Sequence, residues 1–209
     1  MKKLFLCSYF AAVADLLKEF IDEDLVGKKV AFIPTAGNVE KMNFFIGTAK
    51  KAFDRLGMLI EEIDVSVCNE EQFTNVLGTT DYIYVSGGNT FFLLQELQRN
   101  GLDKILVEYI EQGKPYIGES AGAIIASPNL EYIKAVNFDP ISKAPELQSL
   151  KALGIIDSYI VPHFGEFPFK KKAEKINQLF GEQLPLININ NKQAIILKGD
   201  SLKVNTIVK

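Results

Sequence analysis

Through residues 1–130, short apolar runs of strand character alternate with stretches of helical periodicity, and this alternation narrows the fold more than any other feature. Lys3–Cys7 precedes a helical stretch near 10–24, Lys29–Ile33 one near 39–56, and Met58–Val65 a short one near 70–77. Tyr82–Val85 leads into helical stretches near 90–99 and 102–112, and Tyr116-Ile117 into a helix after Ser120. Strands separated by helices need crossover connections, so the expected fold is α/β, a mostly parallel sheet covered by helices on both faces. Towards the C-terminus the rhythm changes. Ile187–Asn190, Ala194–Leu197 and Val204–Val208 lie close together, separated by the turn signals Asn190-Asn191 and Gly199-Asp200, and read as antiparallel strands added to one edge. A chain of 209 residues, 47% hydrophobic and 23% charged, suits a single α/β domain over 1–209 with its own core.

Two segments need separate treatment. Met1-Lys2-Lys3 followed by Leu4 to Ala14 has the charge and apolar pattern of a short secretory signal, with Ala12-Val13-Ala14 resembling a cleavage site. Leu16, Leu17, Phe20 and Ile21 continue the same apolar stripe past that point, so a first strand and an amphipathic helix are favoured. The segment Pro128 to Leu153, with Pro128, Pro140 and Pro145 and little periodicity, reads as a long loop of the functional or mobile kind.

Charge and cysteine content exclude several classes. A net charge of −3 argues against nucleic acid as a partner, and no stretch is long enough to span a membrane. Cys7 and Cys68 sit in or beside apolar runs and read as buried free thiols in a reducing cytosol, a cytoplasmic setting. One histidine and two distant cysteines leave no zinc site with sensible spacing, and no cofactor is expected.

The chemistry concentrates in Gly118-Glu119-Ser120-Ala121-Gly122, set between an apolar strand and an apolar helix. A serine on such a turn is thrust out of the sheet beside backbone N–H groups able to hold an oxyanion. His163 is the only histidine in the chain, so an imidazole base for Ser120 has no other candidate. It follows the apolar run Tyr159-Ile160-Val161, at a strand end where open α/β sheets place their chemistry. A second glycine turn, Ser86-Gly87-Gly88-Asn89-Thr90, links Tyr82–Val85 to the next helix and can bring another N–H beside the first. Each part has a plain structural alternative: a tight turn at Ser120, a strand-capping histidine, and Asn89 or Thr90 as a helix N-cap.

In this order and spacing, Gly87-Gly88-Asn89-Thr90, Gly118 to Ala123 and Pro162-His163-Phe164 resemble the peptidase E family, which includes aspartyl dipeptidase and cyanophycinase. The resemblance runs from about Lys29 to Leu197. It implies a three-layer fold like that of class I glutamine amidotransferases. It also implies Ser120 as nucleophile, His163 as base, oxyanion donors at Gly88 and Ala121, and no metal. A small peptide substrate and a monomer or homodimer follow as expectations.

Two departures stand out. The acidic residue that related enzymes place before the late Ala-hydrophobic strand is matched here by Asn190 and Asn191. The orienting group for His163 is therefore open between Asp139, Asn191 and Asp157, in that order of preference. The arginine with which aspartyl dipeptidases grip the substrate's aspartate has no counterpart. The segment reads Phe167-Pro168-Phe169-Lys170-Lys171-Lys172, and a lysine lacks the bidentate fork. Asn89, Glu119 and Lys172 are the candidate substrate-binding residues. The expected function is a serine peptidase of short peptides, N-terminal-Asp dipeptides among them, working through an acyl-enzyme. The alternatives are another amidase, esterase or cyanophycinase-like isopeptidase, or a non-catalytic peptide binder.

Overall fold

The computed structural model of the chain describes residues 1–207. Its main sheet has seven strands in the order β3-β2-β4-β5-β1-β8-β9. These are β1 (Lys3–Cys7), β2 (Lys29–Ile33), β3 (Leu59–Glu62), β4 (Tyr82–Val85), β5 (Tyr116–Glu119), β8 (Gln193–Lys198) and β9 (Ser201–Thr206). β1 to β5 run parallel, while β8 joins β1 and β9 joins β8 in antiparallel register. The segment that carries the signal-like pattern is thus a central strand, with Leu4 to Cys7 fully buried. Val208, the last residue of the expected C-terminal strand, lies outside the described residues.

Side chains alternate across the strands and divide the core in two. Phe5, Phe32 and Tyr84 face α1 (Phe10–Val13), α2 (Leu17–Phe20) and α3 (Phe44–Arg55). Leu4, Leu6, Ile33 and Val85 face α4 (Glu70–Thr79), α5 (Thr90–Arg99), α6 (Leu102–Glu111) and α7 (Ala121–Ile124). Helices on both faces of a mostly parallel sheet give the three layers that the alternation foretold. No helix among the described residues is long and apolar enough to cross a membrane.

Three expectations need correction. The stretch near 10–24 is not one helix, because a 3-10 turn, Ala14–Leu16, divides it. The segment from Pro128 to Leu153 is no open loop. It carries α8 (Glu131–Ala135), its ends are pinned by Ala152 N–H to Pro128 O at 3.1 Å and by Leu130 N–H to Leu150 O at 2.9 Å, and Leu130, Tyr132, Ile133 and Phe138 build a third core cluster. The third correction concerns β7 (Leu186–Asn188), which is not an antiparallel edge strand. It pairs in parallel with β6 (Tyr159–Val161) as a separate two-stranded sheet, and α9 (Lys170–Phe180) connects the two. A parallel pair needs a crossover of this length, which α9 supplies.

Candidate active site

β5 ends at Glu119, and Ser120 turns the chain into α7 with φ 48° and ψ −102°. Positive φ is rare outside glycine, and among the described residues it is found at Ser120, Asn137 and His163. Strain of this kind persists only where the surroundings enforce it. Here the enforcement is backbone crowding. A Cβ on Gly118 would lie 2.5 Å from the Gly122 carbonyl oxygen, and one on Gly122 would lie 2.3 Å from that of Val85. Ser120 N–H donates to Cys7 O at 2.8 Å, which ties the turn to β1.

His163 arrives from the small sheet. Val161 lies opposite Asn188, and the pairing continues with Ile189 N–H to Val161 O at 3.1 Å and Phe164 N–H to Ile189 O at 3.0 Å. Two parallel chains therefore leave the same end together, bringing His163 and Asn191 side by side. Ser120 Oγ lies 2.9 Å from His163 Nε2, and His163 Nδ1 lies 2.8 Å from Asn191 Oδ1. An amide oxygen only accepts, so Nδ1 carries the proton and Nε2 is free to take the one on Ser120. The imidazole stacks on Phe169 (centroids 4.7 Å apart), which stacks in turn on Phe138 (5.1 Å). Burial lowers the His163 pKa, opposed in part by the Asn191 hydrogen bond and the charge of Glu166, so the neutral base is favoured.

The glycine turn after β4 lies against the elbow. A Cβ on Gly87 would sit 3.3 Å from Ser120 Cβ, and one on Gly88 (φ 133°) would sit 2.1 Å from Ala36 O. Ala121 is the first residue of α7, where N–H groups have no intrahelical acceptor. Among the described residues neither the Gly88 nor the Ala121 N–H meets a backbone acceptor.

The other predicted residues are placed differently. Asp139 does not touch His163. Its Oδ2 accepts Thr90 N–H at 3.0 Å and Thr90 Oγ1–H at 2.5 Å, so it caps the positive end of α5. Burial raises its pKa, opposed by both Thr90 donors. Asp157 is exposed on the turn before β6, at the opposite end from His163. Asn89 is fully buried as the α5 N-cap, accepting Phe92 N–H at 2.9 Å and donating to Pro140 O at 3.1 Å, so its side chain is spent on the turn and not open to a substrate. Lys172 Nζ donates to Phe138 O at 2.9 Å. Glu119 neither faces the substrate nor reaches solvent. It lies inside the α1–α3 layer, where burial pushes its pKa up to about 7 against donors from Tyr84, Phe10 N–H and Gly87 N–H.

One residue escaped the sequence reading. Ser8, 1% exposed, accepts His163 N–H at 3.0 Å and donates to Ile189 O at 3.0 Å, binding both strands of the small sheet to the end of β1. A polar residue directly after an apolar strand was the available signal, but nothing in its neighbours tells of partners 155 and 181 positions away. Cys7 and Cys68 are free and buried, and burial raises both thiols, which keeps them out of the chemistry. Among the described residues no group of three or more His, Cys, Asp or Glu side chains is placed to hold a metal ion.

Comparison with known proteins now decides the family: the model of Peptidase family S51 matches residues 5–205. The chain belongs to peptidase family S51. It is a serine-type peptidase. It is 45% identical over 201 residues to an uncharacterised peptidase of Pasteurella multocida, with 96% of each chain covered. To peptidase E of Haemophilus influenzae it is 36% identical over 141 residues, 68% of this chain and 60% of that one. The fold superimposes on a crystal structure of a Listeria monocytogenes protein described as a candidate peptidase E, with TM-score 0.94, 43% identity and both chains fully covered. A peptidase from an acI-B1 actinobacterium matches with TM-score 0.74 and 26% identity over 99% of this chain and 88% of that one.

Proposed function

We propose that this S51 peptidase cleaves short peptides through an acyl-enzyme on Ser120, with His163 as base and then acid and Asn191 orienting the imidazole. Oγ attacks the scissile carbonyl carbon while its proton passes to His163 Nε2. The oxyanion that forms is held by the N–H groups of Gly88 and Ala121. Collapse breaks the C–N bond, the leaving amine takes the proton from Nε2, and water activated by the same nitrogen releases the acyl group. The carrying observation is the unbroken chain Ser120 Oγ, His163 Nε2, His163 Nδ1, Asn191 Oδ1, with links of 2.9 and 2.8 Å. Asn191 fixes the tautomer without supplying a charge, the arrangement that a Cys-His-Asn centre uses.

Dipeptides with an N-terminal aspartate belong to the proposed substrates. Lys172 is the candidate cation for that carboxylate, and it would have to leave or share the Phe138 carbonyl it now meets. The test is fluorophosphonate labelling mapped by peptide mass spectrometry, followed by a panel of Asp-X dipeptides, other short peptides, branched Asp-Arg isopeptides and simple esters. Labelling of Ser120 that disappears in His163→Ala is expected. Peptide cleavage that persists in Ser120→Ala would overturn the mechanism.

A further inference from the structure

Glu119 adjoins the nucleophile, yet the mechanism gives it no step. Ile117 and Glu119 share the face of β5 directed at α1–α3, so the carboxylate enters the core while Ser120 leaves the strand. Oε1 accepts Phe10 N–H at 2.8 Å, Oε2 accepts the Tyr84 hydroxyl, and the Gly87 N–H lies near enough to favour its charge. The three donors come from different parts of the site. Phe10 begins α1, two residues beyond the Ser8 that holds His163 N–H. Tyr84 lies in β4, which runs straight into Ser86-Gly87-Gly88, and Gly87 belongs to that turn itself. Among the described residues no hydrogen bond joins Glu119 to Ser120 or His163, so it is not a second base.

We propose that Glu119 is a positioning residue for the oxyanion hole: through Tyr84 its carboxylate ties β4, the strand that runs into the Gly87-Gly88 turn, and through Phe10 the turn after β1, to the elbow, keeping the Gly88 and Ala121 N–H groups aimed at one point. This rests on the reading of those two groups as the oxyanion donors. A carboxylate is acceptor-only, and every partner of Glu119 is a donor. A carboxyl or amide side chain keeps an acceptor for Phe10 N–H but turns a donor on the Tyr84 hydroxyl, which reverses that bond and leaves the hydroxyl proton without its charged acceptor. Among the described residues the charge has no cationic partner: the titratable groups facing it are the Cys7 thiol from β1 and Tyr84 from β4, with Tyr9 beyond in the following turn. Its own donors alone therefore favour the ionised form against its burial. As pH falls through about 7, the pKa to which burial raises it, Glu119 gains a proton and its bonds to β4 and the start of α1 lose their charge assistance.

The experiment is the rate of Ser120 labelling by a fluorophosphonate between pH 5 and 9 in the wild type, Glu119→Gln and Tyr84→Phe, with folding followed by circular dichroism. Glu119→Gln should label about 10- to 100-fold more slowly at pH 8, a partial loss of the effect of one oxyanion donor. It should also lose the decline near pH 7, keeping only the lower one of His163. Tyr84→Phe removes a donor that favours the carboxylate, so its decline should move to higher pH. A folded Glu119→Gln with wild-type rates, or slower with the wild-type pH profile, would overturn the proposal. If Glu119→Gln does not fold, Tyr84→Phe decides, and an unmoved profile overturns it. Wild-type protein that never labels at Ser120 refutes the catalytic reading instead, so the two failures are distinct.

Discussion

Ser120 and His163 face each other across 2.9 Å, yet the segments carrying them are held by different kinds of structure. The Ser120 side is local. Strand, tight turn and helix follow one another in residues 116–124, and the glycines that allow the turn lie within two positions of the serine. The His163 side is assembled from afar. β6 and β7 pair in parallel across the long α9 crossover, and Ser8 joins the pair to β1 from the other end of the chain. A local motif tolerates little at its own residues. A remote assembly spreads the same demand over contacts that each bear part of it.

Removing the nucleophile gives the largest expected effect. Ser120→Ala should lower turnover by a factor on the order of 10⁶, measured as peptide cleavage by the folded variant. Next comes the backbone of the local half. Gly88→Ala would place a Cβ 2.1 Å from Ala36 O at φ 133°, so a loss of about 3 kcal/mol or more in chemical denaturation is expected, along with the oxyanion donor. On the remote side Asn191→Ala should cost about 10²- to 10⁴-fold in kcat/KM with the fold retained, because the imidazole keeps its stack on Phe169 but not its tautomer.

A finer measurement follows the imidazole by NMR, which is clean because the chain has one histidine. Burial lowers the His163 pKa, so its titration midpoint should fall below the ordinary value of about 6.5. The sign for stability follows: the group favours the fold above pH 6.5 and loses that contribution as pH falls through the lowered pKa. Asn191→Asp sets a charge against Nδ1–H and should raise the midpoint by about one unit or more. The smallest effect separates Asp139 from Asn191. Asp139→Ala should cost about 1–2 kcal/mol through the lost α5 cap and leave kcat/KM within roughly tenfold. A fall of about 10⁴ would return Asp139 to the orienting role.

The parallel sheet, the elbow and the glycine turn after β4 were all legible, because each depends on periodicity or on residues within a few positions of one another. Asp139 was preferred to Asn191 because a carboxylate is the stronger partner for an imidazole. The fold instead places it at the N-terminus of α5, where Thr90 takes both of its bonds. Reading β7 as an antiparallel edge strand hid the pairing that brings Asn191 to Nδ1. Glu119 was a candidate substrate-binding residue because it adjoins the serine and carries a charge. Strand alternation sent it inward, to donors on β4 and at the start of α1.

The α/β class, the serine on its glycine-flanked strand-to-helix turn and the single histidine available to it were written in the order of the residues, since steric turns, alternation and a lone histidine need no partner to be recognised. The pairing of His163 with Asn191, the partners of Asp139 and Glu119, and the tie through Ser8 were fixed on folding. Each is a hydrogen bond between groups 28 to 181 positions apart, and such a bond forms only where packing has already brought donor to acceptor.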